Sequence, residues 1–373
     1  MNHSPFSLSL TLNGLTLSPE EVIAWARHQL SIAKHDWERN LATFLLNWYD
    51  PSLPVLAIQT SGTTGTPETL YFSREAMLES ALRTCRFFGL KENMTALLCL
   101  NTSFIAGKMM VVRALAAGLN LIVVPPVSNP LKNIQSPPDF VAMVPAQIVA
   151  SLSNSLSEKI LLNTSTIIIG GAPLPPAAED RLAELKINAW ITYGMTETLT
   201  HVAVRKAGER PPAFRPLEGV LFKTADDGTL CIEAPFLEKV IKTKDLAELL
   251  PDGRFILKGR ADFVINSGGI KIFPEQLEQQ LAPFFPRPFF VTSHPHPVLG
   301  EVPLLVAEAN LLTEKDIREL CSFITKVLPR HHRPFALKPV PVIYLSDAGK
   351  ILRQRTLSAI ENQNTPLVEL KYL

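Results

Sequence analysis

Six short apolar runs recur down the first half of the chain with helix-length stretches between them: VLAIQT at 55–60, TALLCL at 95–100, LNLIVVPP at 119–126, FVAMV at 140–144, TIIIGG at 166–171 and INAWITYG at 187–194. A strand that is apolar along its length, not only at every second residue, needs cover on both faces. Helices packed on the two sides of a parallel sheet provide that cover. Strands joined through helices are also free to run parallel, because a crossover of that length returns the chain to the same end of the sheet. The pattern therefore predicts an α/β fold with mostly parallel strands. Ahead of it, Ser18-Pro19-Glu20-Glu21 reads as an N-capped helix start. Val22, Ile23, Trp25, Ala26, Leu30 and Ile32 continue at three-to-four spacing, so a helical region is expected over 18–48.

The pattern changes after the sixth run. LFKTADDGTLCIEA at 221–234 sets two alternating runs around Asp226-Asp227-Gly228, the chemistry of a tight hairpin, and predicts a small antiparallel β region. Beyond Asp262 come short strands, a helical stretch from Glu314 to Leu328, and Pro-rich connections such as HPHPVLGEVP. At 373 residues the chain is long for one domain, and the reading is a large N-terminal domain over 1–261 and a smaller α+β domain over 262–373.

Charge and cysteine usage narrow the function classes. Lys and Arg number 36 against 35 Asp and Glu, so no global field favours nucleic acid or an anionic membrane. Cys85, Cys99, Cys231 and Cys321 are scattered, with neither a CxxC pair nor a His at ligand spacing, which points away from disulfides and structural zinc. The start, MNHSPFSLSLTLNG, has no basic segment followed by an apolar core. A cytoplasmic protein handling small molecules, as a monomer or homodimer, is expected.

The sharpest local signal is Thr60-Ser61-Gly62-Thr63-Thr64-Gly65-Thr66-Pro67, directly after the first apolar run. Small residues let backbone N–H groups approach an anion, and the hydroxyls add donors without bulk, so this is a candidate phosphate cradle. It is not a P-loop, which needs a Lys after its second Gly. Alone, such a stretch is an ordinary turn. So is Gly170-Gly171-Ala172-Pro173; Tyr193 and Glu197 would be strand-end packing and a solvated acid.

In order, however, TSGTTGTP, Tyr193-Gly194-Met195-Thr196-Glu197, Thr243-Lys244-Asp245 with Gly259-Arg260-Ala261-Asp262, and Gly349-Lys350-Ile351-Leu352-Arg353 resemble the segments of the adenylate-forming superfamily, which includes the acyl-CoA synthetases, peptide-synthetase adenylation domains and luciferases. The resemblance implies the adenylate-forming fold and a two-step reaction using ATP, Mg²⁺ and CoA. It gives Thr60 to Gly65 the phosphates, Gly171, Ala172, Pro173, Tyr193 and Gly194 the adenine, and Asp245 and Arg260 the ribose. Thr196 would meet the α-phosphate, Glu197 would help hold Mg²⁺, Lys350 would serve adenylation, and Asp262 would be the hinge of a mobile C-terminal domain. Lys271, in a Gly-rich turn, is a candidate for the thioester step.

Two departures stand out. Glu68 follows the phosphate loop where the family usually carries Lys, which opens the alternative of a nucleotide-binding pseudoenzyme. The chain is also short for the superfamily, as if an N-terminal subdomain were trimmed. Within the superfamily, Ile105 to Ala114, YGMTET running on to Thr200 and His201, and NSGGIKI at 266–272 resemble the o-succinylbenzoate CoA ligases of menaquinone biosynthesis; another acyl- or aryl-CoA ligase is the alternative. A dicarboxylate needs a second anion contact, for which Lys108, Arg113, Thr200 and His201 are the candidates.

Overall fold

The computed structural model describes residues 4–59, 68–285, 287–308, 313–346, 349–360 and 366–372. A hairpin comes first, β1 (Leu10–Leu12) and β2 (Leu15–Leu17), turning on Asn13 and Gly14 at φ 49° and 85°, the positive values that a two-residue primed turn needs. The helical region expected over 18–48 is two helices, α1 (Pro19–Ile32) and α2 (Asp36–Tyr49). Ser18 and Glu21 cap α1 reciprocally. The break follows from Glu38, whose carboxylate accepts the N–H groups of Lys34 and His35, both at 2.9 Å, and so starts a new helix.

Next come β3 (Leu56–Gln59), β4 (Thr69–Phe72), α3 (Arg74–Phe88), β5 (Thr95–Leu98), α4 (Ile105–Ala117), β6 (Asn120–Val123), β7 (Phe140–Met143), α5 (Pro145–Leu152), α6 (Ser155–Asn163), β8 (Thr166–Ile169), α7 (Pro176–Glu184), β9 (Ala189–Gly194), β10 (His201–Lys206) and β11 (Arg215–Pro216). One sheet of nine strands runs in the order β11-β10-β9-β8-β7-β5-β6-β1-β2. From β1 through β9 its neighbours pair parallel, and β2, β10 and β11 are antiparallel additions at its two edges. Every residue of β7 and β8 is buried, as continuous apolar runs require. The first run departs from expectation: β3 pairs antiparallel with β4 and stays outside the parallel sheet. Its burial alternates, with Leu56 and Ile58 covered and Ala57 and Gln59 exposed, because only one of its faces has a neighbour.

The strands β12 (Leu221–Thr224), β13 (Thr229–Glu233), β14 (Ile241–Leu249) and β15 (Phe255–Arg260) make a sheet in that order, with Asp227 binding the backbone and hydroxyl of Thr229 in the expected hairpin. Contacts divide the chain into one unit of residues 1–174, 178–222 and 232–241, and another of 175–177, 223–231 and 242–373. The second contains β16 (Ile265–Ser267), β17 (Ile270–Ile272), α8 (Pro274–Leu281), β18 (Phe289–His296), β19 (Gly300–Glu308), α9 (Glu314–Val327), β20 (Ala336–Val340), α10 (Arg353–Ile360) and β21 (Val368–Glu369). Alternate residues of β18 and β19 face two cores. Val291 and Leu305 pack with Leu277 and Leu281 of α8 and Leu320 and Ile324 of α9, whereas Phe290, Leu304 and Val306 pack with Ile351 and Leu357. Among the described residues no helix is long and apolar enough to cross a membrane.

Candidate active site

The candidate phosphate-loop residues Thr60, Ser61, Gly62, Thr63, Thr64 and Gly65 lie outside the described residues. The strands on either side of them are in register, with Gln59 opposite Thr69. Glu68 is exposed.

The C-terminal ends of β8 and β9 carry the next segments. Gly170 is closely approached by Thr192 Oγ1, which donates to the Ile169 carbonyl at 3.0 Å, so a side chain at 170 has no room. Gly171 turns away at φ 92°, followed by Ala172 and Pro173. Tyr193 is buried between Phe214 and Phe222, with centroids at 5.8 and 6.1 Å, so its ring is held at a fixed angle. Gly194 pairs with His201, and a Cβ there would lie 2.5 Å from His201 Cα. That close approach begins a hook. Thr196 and Glu197 sit on a single 3-10 turn, and the buried Thr198 hydroxyl ties it by accepting from Met195 N–H and donating its one proton to the Thr200 carbonyl at 2.8 Å. Leu199 completes the hook at φ 64°, a strained value for a branched side chain that costs about 1–3 kcal/mol. Glu197 projects as an exposed carboxylate. Among the described residues no three His, Cys, Asp or Glu side chains gather as a metal cage. A single carboxylate suits Mg²⁺, which keeps waters and takes phosphate oxygens as its other ligands.

Three of the four acid-pocket candidates meet. Arg113, in the interior of α4 and 2 % exposed, donates from Nη2 to Thr200 Oγ1 at 2.7 Å and lies 3.5 Å from His201 Nδ1. His201 Nε2 is 3.2 Å from the buried hydroxyl of Thr84 on α3. Burial, reinforced by the Arg113 charge, holds His201 well below the usual imidazole range, so it is neutral at pH 7. A neutral ring facing a guanidinium must accept at Nδ1, which leaves its N–H at Nε2 for Thr84. Burial also brings Arg113 down to about 10, and it stays charged. Its Nε has no hydrogen-bond partner, and no carboxylate of the described residues pairs with it. Lys108 stands apart: it donates to the Ser103 carbonyl at 2.8 Å, and burial lowers it to about 8. Thr84 carried no signal in the sequence, since nothing about a Thr within a helix marks what it faces.

In the second unit, Asp245 of β14 is opposite Arg260 of β15. Arg260 grips Asp262 with two nitrogens, at 3.0 and 2.9 Å, and reaches Asp245 at 3.5 Å. Lys244 adds a contact to Asp262 at 3.5 Å. Burial opposes charge on Asp262, but Arg260 and Lys244 outweigh it and hold the carboxyl below its usual range. Gly259 is needed beside them, because a Cβ there would meet the Glu275 carboxylate at 2.6 Å. Lys271 is exposed on β17, opposite Asn266, next to the Gly268-Gly269 turn. Lys350 is exposed in a turn where Ser346 N–H donates to its carbonyl at 2.8 Å.

A family model described as "AMP-binding enzyme" matches residues 15–235. A 2-succinylbenzoate–CoA ligase of Haemophilus influenzae is 26 % identical over 321 residues, 81 % of this chain and 70 % of that one. A solved acyl-CoA synthetase (AMP-forming)/AMP-acid ligase II-like protein from Dyadobacter fermentans is 30 % identical, with 88 % of this chain and 95 % of that chain covered and a TM-score of 0.58. The o-succinylbenzoate CoA synthetase of Bacillus subtilis, solved with an acyl-adenylate intermediate, has a TM-score of 0.77 over 98 % of this chain and 97 % of its own, at 16 % identity; it shares the fold.

Proposed function

The chain belongs to the AMP-binding enzyme family and, with the curated relatives it matches, is an AMP-forming acid–thiol ligase; we propose that its acid is o-succinylbenzoate and its thiol coenzyme A. A carboxylate oxygen of the acid attacks the α-phosphorus of ATP, the bond to the β-phosphate oxygen breaks, and pyrophosphate leaves. The CoA thiol then gives up its proton and attacks the acyl carbon, and AMP leaves. Tyr193 offers its ring to adenine, Thr196 its hydroxyl to the α-phosphate, and Asp245 and Arg260 their polar groups to the ribose. Glu197 would hold the Mg²⁺ that accompanies ATP, and that ion, when bound, would supply charge neutralisation at the phosphates. Lys350 places an ammonium where negative charge builds during adenylation.

The observation that carries the choice of acid is the buried Arg113, set between Thr200 and His201 without a carboxylate partner among the described residues. A monocarboxylate spends its only anion on the reaction; a dicarboxylate has a second to answer that guanidinium. The names of the relatives support the same acid. The test is acid-dependent pyrophosphate release with o-succinylbenzoate, benzoate and a medium-chain fatty acid, followed by CoA addition and mass detection of the thioester. Release and thioester with o-succinylbenzoate alone are expected. Preference for either monocarboxylate overturns the choice of acid and leaves the ligase standing.

A further inference from the structure

The turn that presents Lys350 has several ties among the described residues. Ser346 N–H donates to the Lys350 carbonyl, Lys350 N–H donates to Ser346 Oγ at 3.1 Å, and Leu345 bridges Ile351. Besides Ile351, which packs against the core around Phe290, a polar anchor lies just beyond, at the first residue of α10. Arg353 reaches away from the turn, with Nη2 2.8 Å from the Glu278 carboxylate of α8 and Nη1 donating to the Val291 carbonyl of β18. Glu278 in turn accepts Val291 N–H at 2.7 Å, so one residue of the strand is held through its N–H and its carbonyl by the two members of the ion pair. The guanidinium lies over the rings of Phe263 and Phe290, at 4.6 and 5.4 Å, and the two charged side chains are only 12 % and 19 % exposed. Such an arrangement works against α10 as an isolated helix. A cation at a helix N-terminus opposes the backbone dipole, and the first turn of α10 has no acidic residue to offset it. What the fork achieves is to fix a point three residues from Lys350 to two other elements of the same unit.

We propose that Arg353, through its fork onto Glu278 and Val291, is the positioning residue for Lys350 in the adenylation step. This rests on the reading of Lys350 as the adenylation lysine. A charge that stabilises a transition state must be held within a fraction of an ångström, and a misplacement of about 1 Å lowers the rate about 100-fold.

The experiment uses the full chain with Arg353→Lys, Glu278→Gln, their double variant and Lys350→Ala, and the acid that supports pyrophosphate release. Adenylation is followed as pyrophosphate exchange, and thioester formation as CoA transfer from supplied acyl-AMP. Arg353→Lys and Glu278→Gln are expected to lower the adenylation kcat roughly 10- to 100-fold with little change in the KM for ATP, to leave CoA transfer intact, and to be no worse together than apart. Equal slowing of both half-reactions, or slowing of neither, overturns the positioning role while a selective Lys350→Ala defect keeps the lysine reading. If Lys350→Ala spares adenylation, that reading and the positioning role fall together.

Discussion

Arg113 is a cation kept in the protein interior by a hydroxyl and a neutral imidazole. Neither carries charge, so the desolvation of the guanidinium, several kcal/mol in a protein, is only partly offset, and the second carboxylate of the proposed acid would complete the compensation. Arg113→Met is therefore expected to lower kcat/KM for o-succinylbenzoate by about 3 kcal/mol, roughly 100-fold, because removing one member of a buried charge pair costs about 2–5 kcal/mol. The loss should lie in the KM for o-succinylbenzoate, with the KM for ATP little changed. Steady-state kinetics in both substrates decide it, and an unchanged KM for the acid would reduce Arg113 to packing. The sequence nominated Arg113, Thr200 and His201 as residue types fit for a carboxylate but left them unconnected. Arg113 and Thr200 are 87 residues apart, and no periodicity links an α4 interior to the hook after β9. It likewise left Lys108 equal to the others, though that ammonium is spent on its own helix entry.

Behind the hook, α7 and β10 are joined by one buried carboxylate. Glu179 receives both outer nitrogens of Arg205 at 2.6 and 2.9 Å, Gly208 N–H at 3.0 Å and Arg210 at 3.1 Å. Burial alone would raise its pKa, but these donors outweigh it and hold the group at about 2 instead of its ordinary 4.5. A lowered carboxyl contributes stability that is complete above the unfolded value and is lost as pH falls through the folded one. The difference between 4.5 and about 2, at about 1.4 kcal/mol per pH unit, is on the order of 3 kcal/mol. Glu179→Gln should be destabilised by about that amount at neutral pH, and its gap from the unaltered protein should close between pH 4.5 and about 2. Urea midpoints of both proteins across that range test it; a gap that does not narrow removes the ion-pair account. At this scale the parallel strands β5 to β9 were legible, because apolar residues at every position demand cover on both faces. β3 was not, since its short apolar run looks the same when one face is exposed. The break between α1 and α2 was hidden in Glu38, and the first hairpin in the Asn13-Gly14 pair.

For the whole molecule, the two half-reactions make different demands on one set of residues, and Asp262 is the proposed point where the backbone rotates between them. The Arg260 fork and Lys244 fasten that point in the structure seen here. Asp262→Pro, which fixes φ, is expected to retain acyl-AMP formation and lose CoA transfer, while Asp262→Ala, which removes only the fork, keeps both. Single-turnover assays of each step separate them, and a proline variant with normal CoA transfer would dismiss the hinge. The resemblance of the ordered motifs was enough for the family, and the strand pattern was enough for the α/β class, because unbroken apolar strands and capping residues act on their immediate neighbours. Only the tertiary structure decided that Arg113 meets Thr200, His201 and Thr84, that Glu179 joins α7 to β10, and that Arg353 ties the Lys350 turn to α8. Those are matters of charge compensation through space, and linear order holds no measure of which buried group will face which.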